Sequence, residues 1–139
     1  MIKEWKKKSS KYLLENKIFK LREDIVESPK LETEHKVWAM EVPTWVNIIP
    51  ITSLGEVILV NQYRFGMEKF SLEIPGGMSD IGEDPMLAAT RELKEETGYV
   101  GKKVLEIGRV ESNPAIMSNH TYTYLCLLYT SPSPRDATL

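Results

Sequence analysis

Cysteine and histidine are scarce in this sequence of 139 residues. The single cysteine, Cys126, has no partner for an internal disulfide bond, and the chain contains two histidines. Without a CxxC pair or a Cys/His cluster, the usual ligand patterns of structural zinc are missing. The scarcity of cysteine therefore excludes a disulfide-stapled fold and favours a protein of the reducing cytoplasm.

Neither a long apolar run nor an excess of positive charge is present. The formal net charge is -2 and the pI is about 5.8, so the chain has no overall attraction to nucleic acid or to an anionic membrane. The basic N-terminus lacks the following apolar run of a signal peptide. No segment approaches the roughly 20 apolar residues of a membrane span. We therefore expect no nucleic-acid partner, no export and no membrane anchor.

What is present is the composition of one ordinary globular domain. Hydrophobic residues make up 42% and charged residues 27% of the chain, as in a typical folded domain, and domains commonly run to roughly 100–200 residues. Residues 1–17 are polar and basic and are interpreted as a solvated lead-in, with a binding role as the alternative. The apolar patterns that follow predict strands at residues 18–26, 35–42, 45–51, 56–60, 70–74, 100–110 and 120–125.

Polar and glycine-rich stretches follow two of these strands. Residues 56–60 are apolar enough to predict a central strand buried on both faces, and residues 61–64, NQYR, come directly after it. Arg64 is either a plain surface charge or a phosphate ligand, because a guanidinium fork matches two phosphate oxygens. Gly76 and Gly77 follow the strand at 70–74 and let the backbone approach a ligand closely.

A helix with clear boundary signals comes next. Asp84 suits the N-cap, Pro85 suits the first helical position, and Gly98 suits the left-handed residue after the helix end. The apolar residues between them predict a side that faces the core, formed by Met86, Leu87, Ala88, Ala89 and Leu93.

Three acids share one face of this helix. At about 100° per residue, Glu92 and Glu96 lie roughly 40° apart and Glu95 lies within about 100° of both. Like charges this close repel, and a hard divalent cation such as Mg²⁺ or Mn²⁺ offsets the repulsion. The alternative is a solvated face, which is the commoner role of a sequence such as RELKEE taken alone.

The spacing of the segment from Gly77 to Tyr99 decides between a metal site and a solvated face. Five residues separate Gly77 from Glu83, and seven more lead to Arg91 and the sequence RELKEETGY. This segment resembles the Nudix box, G-x5-E-x7-R-E-U-x-E-E-x-G-U with U apolar, although Tyr99 replaces the more usual aliphatic residue. With residue frequencies of roughly 7% or less, seven fixed identities at set spacings arise by chance on the order of once in 10⁸ trials. The chain is thus similar to Nudix hydrolases.

The resemblance implies a fold and a reaction. The implied fold is of the α/β class, an α/β/α Nudix sandwich whose mixed sheet carries the box as a loop–helix–loop. The implied reaction is attack of water on the diphosphate of a nucleoside diphosphate linked to another moiety. Mg²⁺ or Mn²⁺ is the implied cofactor, because the anionic diphosphate repels a nucleophile until a cation neutralises its oxygens.

The resemblance also implies a role for each residue of the box. Glu92 and Glu96 look like metal ligands, joined by the backbone carbonyl of Gly76. Glu95 would bind a further ion or help to position the attacking water, which makes the three glutamates the candidate catalytic residues. The residues implied to keep the box in shape are Gly77, Glu83, Arg91 and Gly98, with Glu83 paired to Arg91.

A more specific resemblance runs from about residue 5 to residue 125. The sequences WVN (45–47), QYR (62–64), EIPGG (73–77) and NP (113–114) look like the ADP-ribose pyrophosphatase branch of the family. That likeness implies that Arg64, Met78 and Pro114 bind substrate and that the N-terminal strands help to build a homodimer. Asn119 stands where this branch usually has a glutamate, so other ADP-linked compounds stay open beside ADP-ribose.

The character of the chain changes after residue 125. Residues 126–136, CLLYTSPSPRD, resemble the translation of a common transposase-type sequencing adaptor; the alternative is a genuine Ser/Pro-rich tail. We expect a Nudix hydrolase domain over 1–125, with N-terminal strands over about 1–43 and a catalytic core over about 44–125, and a non-native tail over 126–139. On this interpretation the domain is truncated at its C-terminus and lacks a late loop that often supplies another catalytic acid.

The sequence therefore predicts a cytoplasmic, Mg²⁺-dependent pyrophosphohydrolase. Its predicted substrate is a small molecule, ADP-ribose or a related ADP-sugar, and the products are AMP and a sugar phosphate. Two alternatives stay open. One is a Nudix hydrolase for a dinucleotide, coenzyme A or another nucleotide, and the other is an inactive truncated module that binds nucleotides.

Overall fold

Nine strands and one helix form the regular structure of the part of the chain that is described. The computed structural model describes residues 3–128. Its elements are β1 (Lys6–Glu15), β2 (Lys20–Glu27), β3 (Glu34–Glu41), β4 (Trp45–Ile51), β5 (Val60–Arg64), β6 (Lys69–Glu73), β7 (Gly76–Met78), α1 (Pro85–Thr97), β8 (Lys103–Glu111) and β9 (His120–Leu127). They fall into two units, residues 3–43 with 111–119 and residues 44–110 with 120–128. Within residues 3–128, no helix is both long and apolar enough to cross a membrane.

The first unit is built on the antiparallel sheet β1-β2-β3. Ion pairs join β1 to β2, with Lys8 2.5 Å from Glu27 and Lys11 3.1 Å from Glu23. Opposite charges across neighbouring strands stabilise their pairing, and this is how a polar, basic segment forms a ten-residue strand. From Lys6 onward the predicted lead-in is therefore a strand, although it is exposed along its length as expected.

The loop between β8 and β9 completes the first unit. The N–H of Met40 donates to the carbonyl of Ile116 at 2.7 Å, and the N–H of Ser118 donates to the carbonyl of Met40 at 3.1 Å. The loop thus runs beside β3, and Pro114 lies within it.

A mixed four-stranded sheet in the order β7-β4-β9-β8 forms the centre of the second unit. β4 runs parallel to β9, with Trp45 opposite Thr121, and antiparallel to β7, with Asn47 opposite Gly76. The predicted α/β class with a mixed sheet is confirmed.

One face of β4 and β9 packs against α1. Alternate residues of each strand point to this face, and the buried core consists of Val46, Ile48, Ala88, Ala89, Leu93, Tyr124, Cys126 and Leu128. Met86 and Leu87 were predicted to join this core but are 39% and 65% exposed. Leu87 lies about 120° from Leu93 around the helix, and Met86 lies in the first turn. The prediction of a buried position is wrong for both.

The packed core extends beyond residue 125. β9 continues to Leu127, Cys126 and Leu128 are buried, and the N–H of Leu128 donates to the carbonyl of Ile51 at 2.8 Å. These apolar residues continue the inward face of β9, while the domain end at residue 125 and the non-native tail over 126–139 stay predictions. The rest of the expected tail, residues 129–139, lies outside the described residues.

The apolar stretch at 56–60 is not a central buried strand, so that prediction is wrong. Val57 and Leu59 are 47% and 44% exposed, and the stretch borders β4 through a hydrogen bond from the N–H of Ile58 to the carbonyl of Pro50 at 3.0 Å. The regular strand is β5, which pairs with β6 as a two-stranded hairpin. Arg64 is the last residue of β5, so its guanidinium still lies at a strand end, although the strand is not the one predicted.

Candidate functional site

The capped helix α1 carries the candidate site. The Asp84 side chain accepts hydrogen bonds from the N–H groups of Met86 at 2.9 Å and Leu87 at 3.2 Å. Gly98 follows the helix with a φ of 73°, and its N–H donates to the carbonyl of Lys94. Glycine adopts this left-handed conformation without a steric penalty. The predicted helix boundaries are confirmed, so the acids keep their expected spacing on one face.

Arg91 holds most of the acidic face together. Its Nε and Nη2 donate to the two carboxylate oxygens of Glu83, each at 3.0 Å. Its Nη1 donates to Glu92 at 2.9 Å and to Glu95 at 3.2 Å, and Nη2 also donates to the carbonyl of Met78 at 3.2 Å. The expected pairing of Glu83 with Arg91 is present in the fork geometry that guanidinium and carboxylate groups favour.

The same contacts set the charge of the loop acid. Donation from Arg91, followed by donation from the N–H of Asp80, lowers the pKa of Glu83 to about 2. The Glu83 carboxylate in turn raises the pKa of Arg91. Both groups stay charged around neutral pH, so the ion pair ties the loop before α1 to the middle of the helix.

Two glycines of β7 allow the strand to approach its neighbours closely. A Cβ at Gly77 would lie 2.5 Å from Cδ and 2.8 Å from Oε2 of Glu92. A Cβ at Gly76 would lie 2.8 Å from Oδ1 and 3.2 Å from Cα of Asn47, and would also press on the backbone carbonyl of Val46. The glycines thus bring β7 against β4 and against the Glu92 carboxylate.

Glu96 is held from two sides. The side-chain amide of Gln62 donates to one carboxylate oxygen, and the N–H of Gly76 donates to the other at 3.0 Å. The structure therefore brings Gly76 to Glu96, while the metal-binding role of the Gly76 carbonyl stays a prediction. Sequence reasoning missed Gln62, which lies 34 positions from Glu96. One feature of the sequence could have identified Gln62: it lies two residues before Arg64 and therefore on the same side of a strand.

Arg64 is engaged by another side chain of the hairpin. Its Nε lies 3.0 and 3.1 Å from the two carboxylate oxygens of Glu73, and its Nη2 contacts the same carboxylate. The guanidinium carbon lies 5.9 Å from the centre of the Trp45 ring. Of the other predicted substrate contacts, Met78 offers its carbonyl to Arg91 and Pro114 lies with the first unit.

The acidic face has the chemistry of a site for a hard cation. Burial raises the pKa of Glu92, Arg91 opposes this shift, and the negative charges of Glu96 and Glu95 add to it. Burying acids side by side is favourable when a cation joins them. Within residues 3–128, no three Asp, Glu, His or Cys side chains converge as a ready group for an ion, since Glu92 and Glu95 turn toward Arg91. The available donors are nevertheless all oxygen atoms, the ligand type that Mg²⁺ and Mn²⁺ prefer.

Family models match both parts of the chain. A model described as the NUDIX domain matches residues 43–138. A model described as the nucleoside diphosphate sugar hydrolase N-terminal domain matches residues 5–30.

Several known proteins are similar to the chain. A methanol dehydrogenase activator of Bacillus methanolicus is 40% identical over 87 residues, which are 63% of this chain and 46% of the relative. An ADP-ribose pyrophosphatase of Bacillus subtilis (strain 168) is 36% identical over 83 residues, which are 60% of this chain and 45% of the relative. The chain thus spans under half the length of these curated relatives.

A solved structure has the same fold. The crystal structure of an ADP compounds hydrolase superposes with a TM-score of 0.84 at 23% identity, covering 100% of this chain and 76% of that one. The NUDIX model covers well over half of the chain, and its matched region contains the braced acidic helix. The chain therefore belongs to the Nudix domain family.

Proposed function

We propose that this protein hydrolyses the diphosphate of a nucleoside diphosphate linked to another moiety, with ADP-ribose or a related ADP-sugar as substrate and Mg²⁺ as cofactor. The observation that carries the proposal is the face of Glu92, Glu95 and Glu96 on one helix, braced by Arg91. The match to a nucleoside diphosphate sugar hydrolase N-terminal domain and the name of the Bacillus subtilis relative support the substrate class.

The proposed reaction adds water across the P–O–P linkage. One phosphorus gains the hydroxyl oxygen of the water, and the bridging oxygen leaves with the other phosphate. With an ADP-sugar, the products are AMP and a sugar phosphate.

The chain supplies the ligands and holds them in place. Glu92, Glu95 and Glu96 would hold the cation together with the backbone carbonyl of Gly76. A divalent cation bound there supplies charge neutralisation for the diphosphate and makes water more acidic. Arg91 keeps the first two carboxylates beside the loop that carries Glu83.

Arg64 is our candidate for a phosphate contact. Its pairing with Glu73 uses the Nε and Nη2 edge of the guanidinium. A guanidinium carries five N–H donors, so its Nη1 donors are the ones that we assign to phosphate. We assign further substrate contacts to the backbone of Met78 and to Pro114.

An assay with ADP-ribose and Mg²⁺ that measures AMP tests the proposal. We expect AMP from the wild-type chain and a loss of at least about 100-fold for Glu96→Gln, because altering even the partners of metal ligands costs 10–100-fold. The matched control is Glu56→Gln, since Glu56 is an exposed acid of the turn before β5. Saturable, Mg²⁺-dependent binding of ADP-ribose without AMP would contradict the enzyme and favour a nucleotide-binding module. Hydrolysis of coenzyme A or a dinucleotide, but not of ADP-ribose, would show that the protein is a hydrolase with a different nucleotide substrate.

We also propose a homodimer formed through the N-terminal strands. β1 is an outer strand of its sheet and is exposed along all ten residues, so it offers backbone groups for pairing with another chain. Light scattering coupled to size-exclusion chromatography tests this. A mass near 15.9 kDa, that of one chain, would contradict it.

A further inference from the structure

We infer that Gln62 is a positioning residue for Glu96, and that its neutral amide orients this carboxylate toward a divalent cation. The inference rests on the proposed function, because it takes Glu96 as a ligand of that cation. Gln62 acts through Glu96 and is not itself assigned to the cation or to the substrate.

The alternation of β5 places Gln62 on the inner side of the hairpin. Gln62 and Arg64 are partly buried, whereas Asn61 and Tyr63 are exposed on the opposite side of the strand. The amide of Gln62 reaches across to α1 and donates to Glu96. An ionised carboxylate only accepts hydrogen bonds, so the NH₂ group is the part of the amide that faces it.

The hairpin is held firmly enough to orient a side chain. Arg64 in β5 pairs with Glu73 in β6 through more than one N–H donor. Gln62 lies directly opposite Ser71 of β6 in the strand register. Because the backbone on both sides of Gln62 is paired, the hairpin sets the point from which the side chain extends toward Glu96.

The two donors on Glu96 fix both of its oxygens. Gln62 holds one oxygen, and the N–H of Gly76 holds the other at 3.0 Å. Each carboxylate oxygen has about two lone-pair sites, so one site on each stays available to a cation. Two donors on two atoms fix the plane of the carboxylate, which a single donor would leave free to rotate.

The charge of the donors distinguishes Glu96 from its neighbours. Glu92 and Glu95 accept from the cationic guanidinium of Arg91, which competes with a metal ion for the same charge. The hydrogen-bond donors on Glu96 are neutral amides, whereas the cationic Arg64, which is paired to Glu73, acts on it through charge. We therefore expect Glu96 to be the first of the three acids to engage a cation.

Binding of Mn²⁺ to the full 139-residue chain without substrate tests the inference, read by electron paramagnetic resonance of the free ion. Gln62→Met keeps the length of the side chain and removes the donor. We expect it to weaken Mn²⁺ binding by about 10–100-fold, the usual effect of losing a partner of a metal ligand. Asn61→Met is the matched control on the exposed side of the same strand and is expected to bind as wild type does.

A double-mutant cycle shows whether Gln62 acts through Glu96. In a Glu96→Gln background, Gln62→Met is expected to cause no further loss of Mn²⁺ affinity, because the group it orients is already gone. Gln62→Asn, which keeps the amide but withdraws it by one methylene, gives a second measurement if the methionine variant folds poorly. It is expected to weaken binding in the same direction.

Three results would overturn the inference. They are Mn²⁺ affinity unchanged in both Gln62 variants, an equal loss in Asn61→Met, and an undiminished further loss in the Glu96→Gln background. Absence of saturable Mn²⁺ binding by the wild type would overturn it together with the metal assignment. Failure of the wild type to release AMP would overturn the proposed function alone, because Mn²⁺ binding is measured without substrate.

Discussion

Adding one methyl group at Gly77 is expected to move Glu92 without unfolding the protein. The new Cβ would lie 2.5 Å from Cδ of Glu92, whereas ordinary contact begins at 3.4 Å, so the carboxylate must retreat by about 0.9 Å, the difference between the two distances. The obstacle is the end of a flexible side chain, and we expect Gly77→Ala to lower the free energy of unfolding by about 1 kcal/mol, the low end for overpacking. Because a misplacement of about 1 Å can slow a reaction about 100-fold, the loss of AMP release is expected to be much larger.

Two other glycines supply the comparison. At Gly76 the obstacles include the backbone carbonyl of Val46 and the Cα of Asn47, which cannot move away alone, so Gly76→Ala is expected to cost up to about 3 kcal/mol in stability. At Gly66 a Cβ meets nothing within 4 Å, and Gly66→Ala is expected to match wild type in stability and in AMP release.

The measurements are the denaturant midpoint of unfolding and kcat/KM for AMP release from ADP-ribose. Full activity in a folded Gly77→Ala variant would refute the reasoning, because Glu92 would then tolerate displacement. Equal losses of stability in the Gly77→Ala and Gly76→Ala variants would refute the distinction between a side-chain obstacle and a backbone obstacle.

Three further predictions concern stability. Because Arg91 lowers the pKa of Glu83 from 4.5 to about 2, their pairing stabilises the fold above about pH 4.5 and loses this effect as the pH falls toward 2; thermal melts of wild type and Glu83→Gln should differ at neutral pH and converge in acid. Asp84→Ala removes the N-cap and is expected to lower the free energy of unfolding by about 1 kcal/mol in denaturant titrations, and an unchanged midpoint would contradict this. A Cβ at Gly101 would collide with Sγ of Cys126, so Gly101→Ala is expected to cost about 1–3 kcal/mol; in a double-mutant cycle Cys126→Ala should restore part of it, and simple additivity would contradict the collision.

The local features of the site could be predicted from the sequence. A helix start at Asp84 and an end at Gly98 depend on backbone chemistry within a few residues. The ion pair between Glu83 and Arg91 follows from a spacing that the family resemblance supplied. These contacts are short in sequence, so a fixed pattern specifies them.

Contacts between distant segments could not be predicted in the same way. The apolar run at 56–60 has the pattern of a buried strand, but its backbone contacts the C-terminal end of β4 and leaves Val57 and Leu59 exposed. A run of apolar residues does not identify the partner of the strand. Gln62 lies 34 positions from Glu96, and no local pattern links an amide on one strand to an acid on a helix that comes later.

The parallel pairing of β4 with β9 has a consequence for the order of folding. Trp45 pairs with Thr121, 76 positions later by the difference of their numbers, whereas β5 and β6 are joined by a tight turn. Pairings so far apart in sequence close large loops and form slowly. During synthesis, the hairpin and the acidic helix leave the ribosome well before β9. Although β4 is made early, it is therefore among the last elements to gain all of its hydrogen bonds, because β9 is one of its two neighbours.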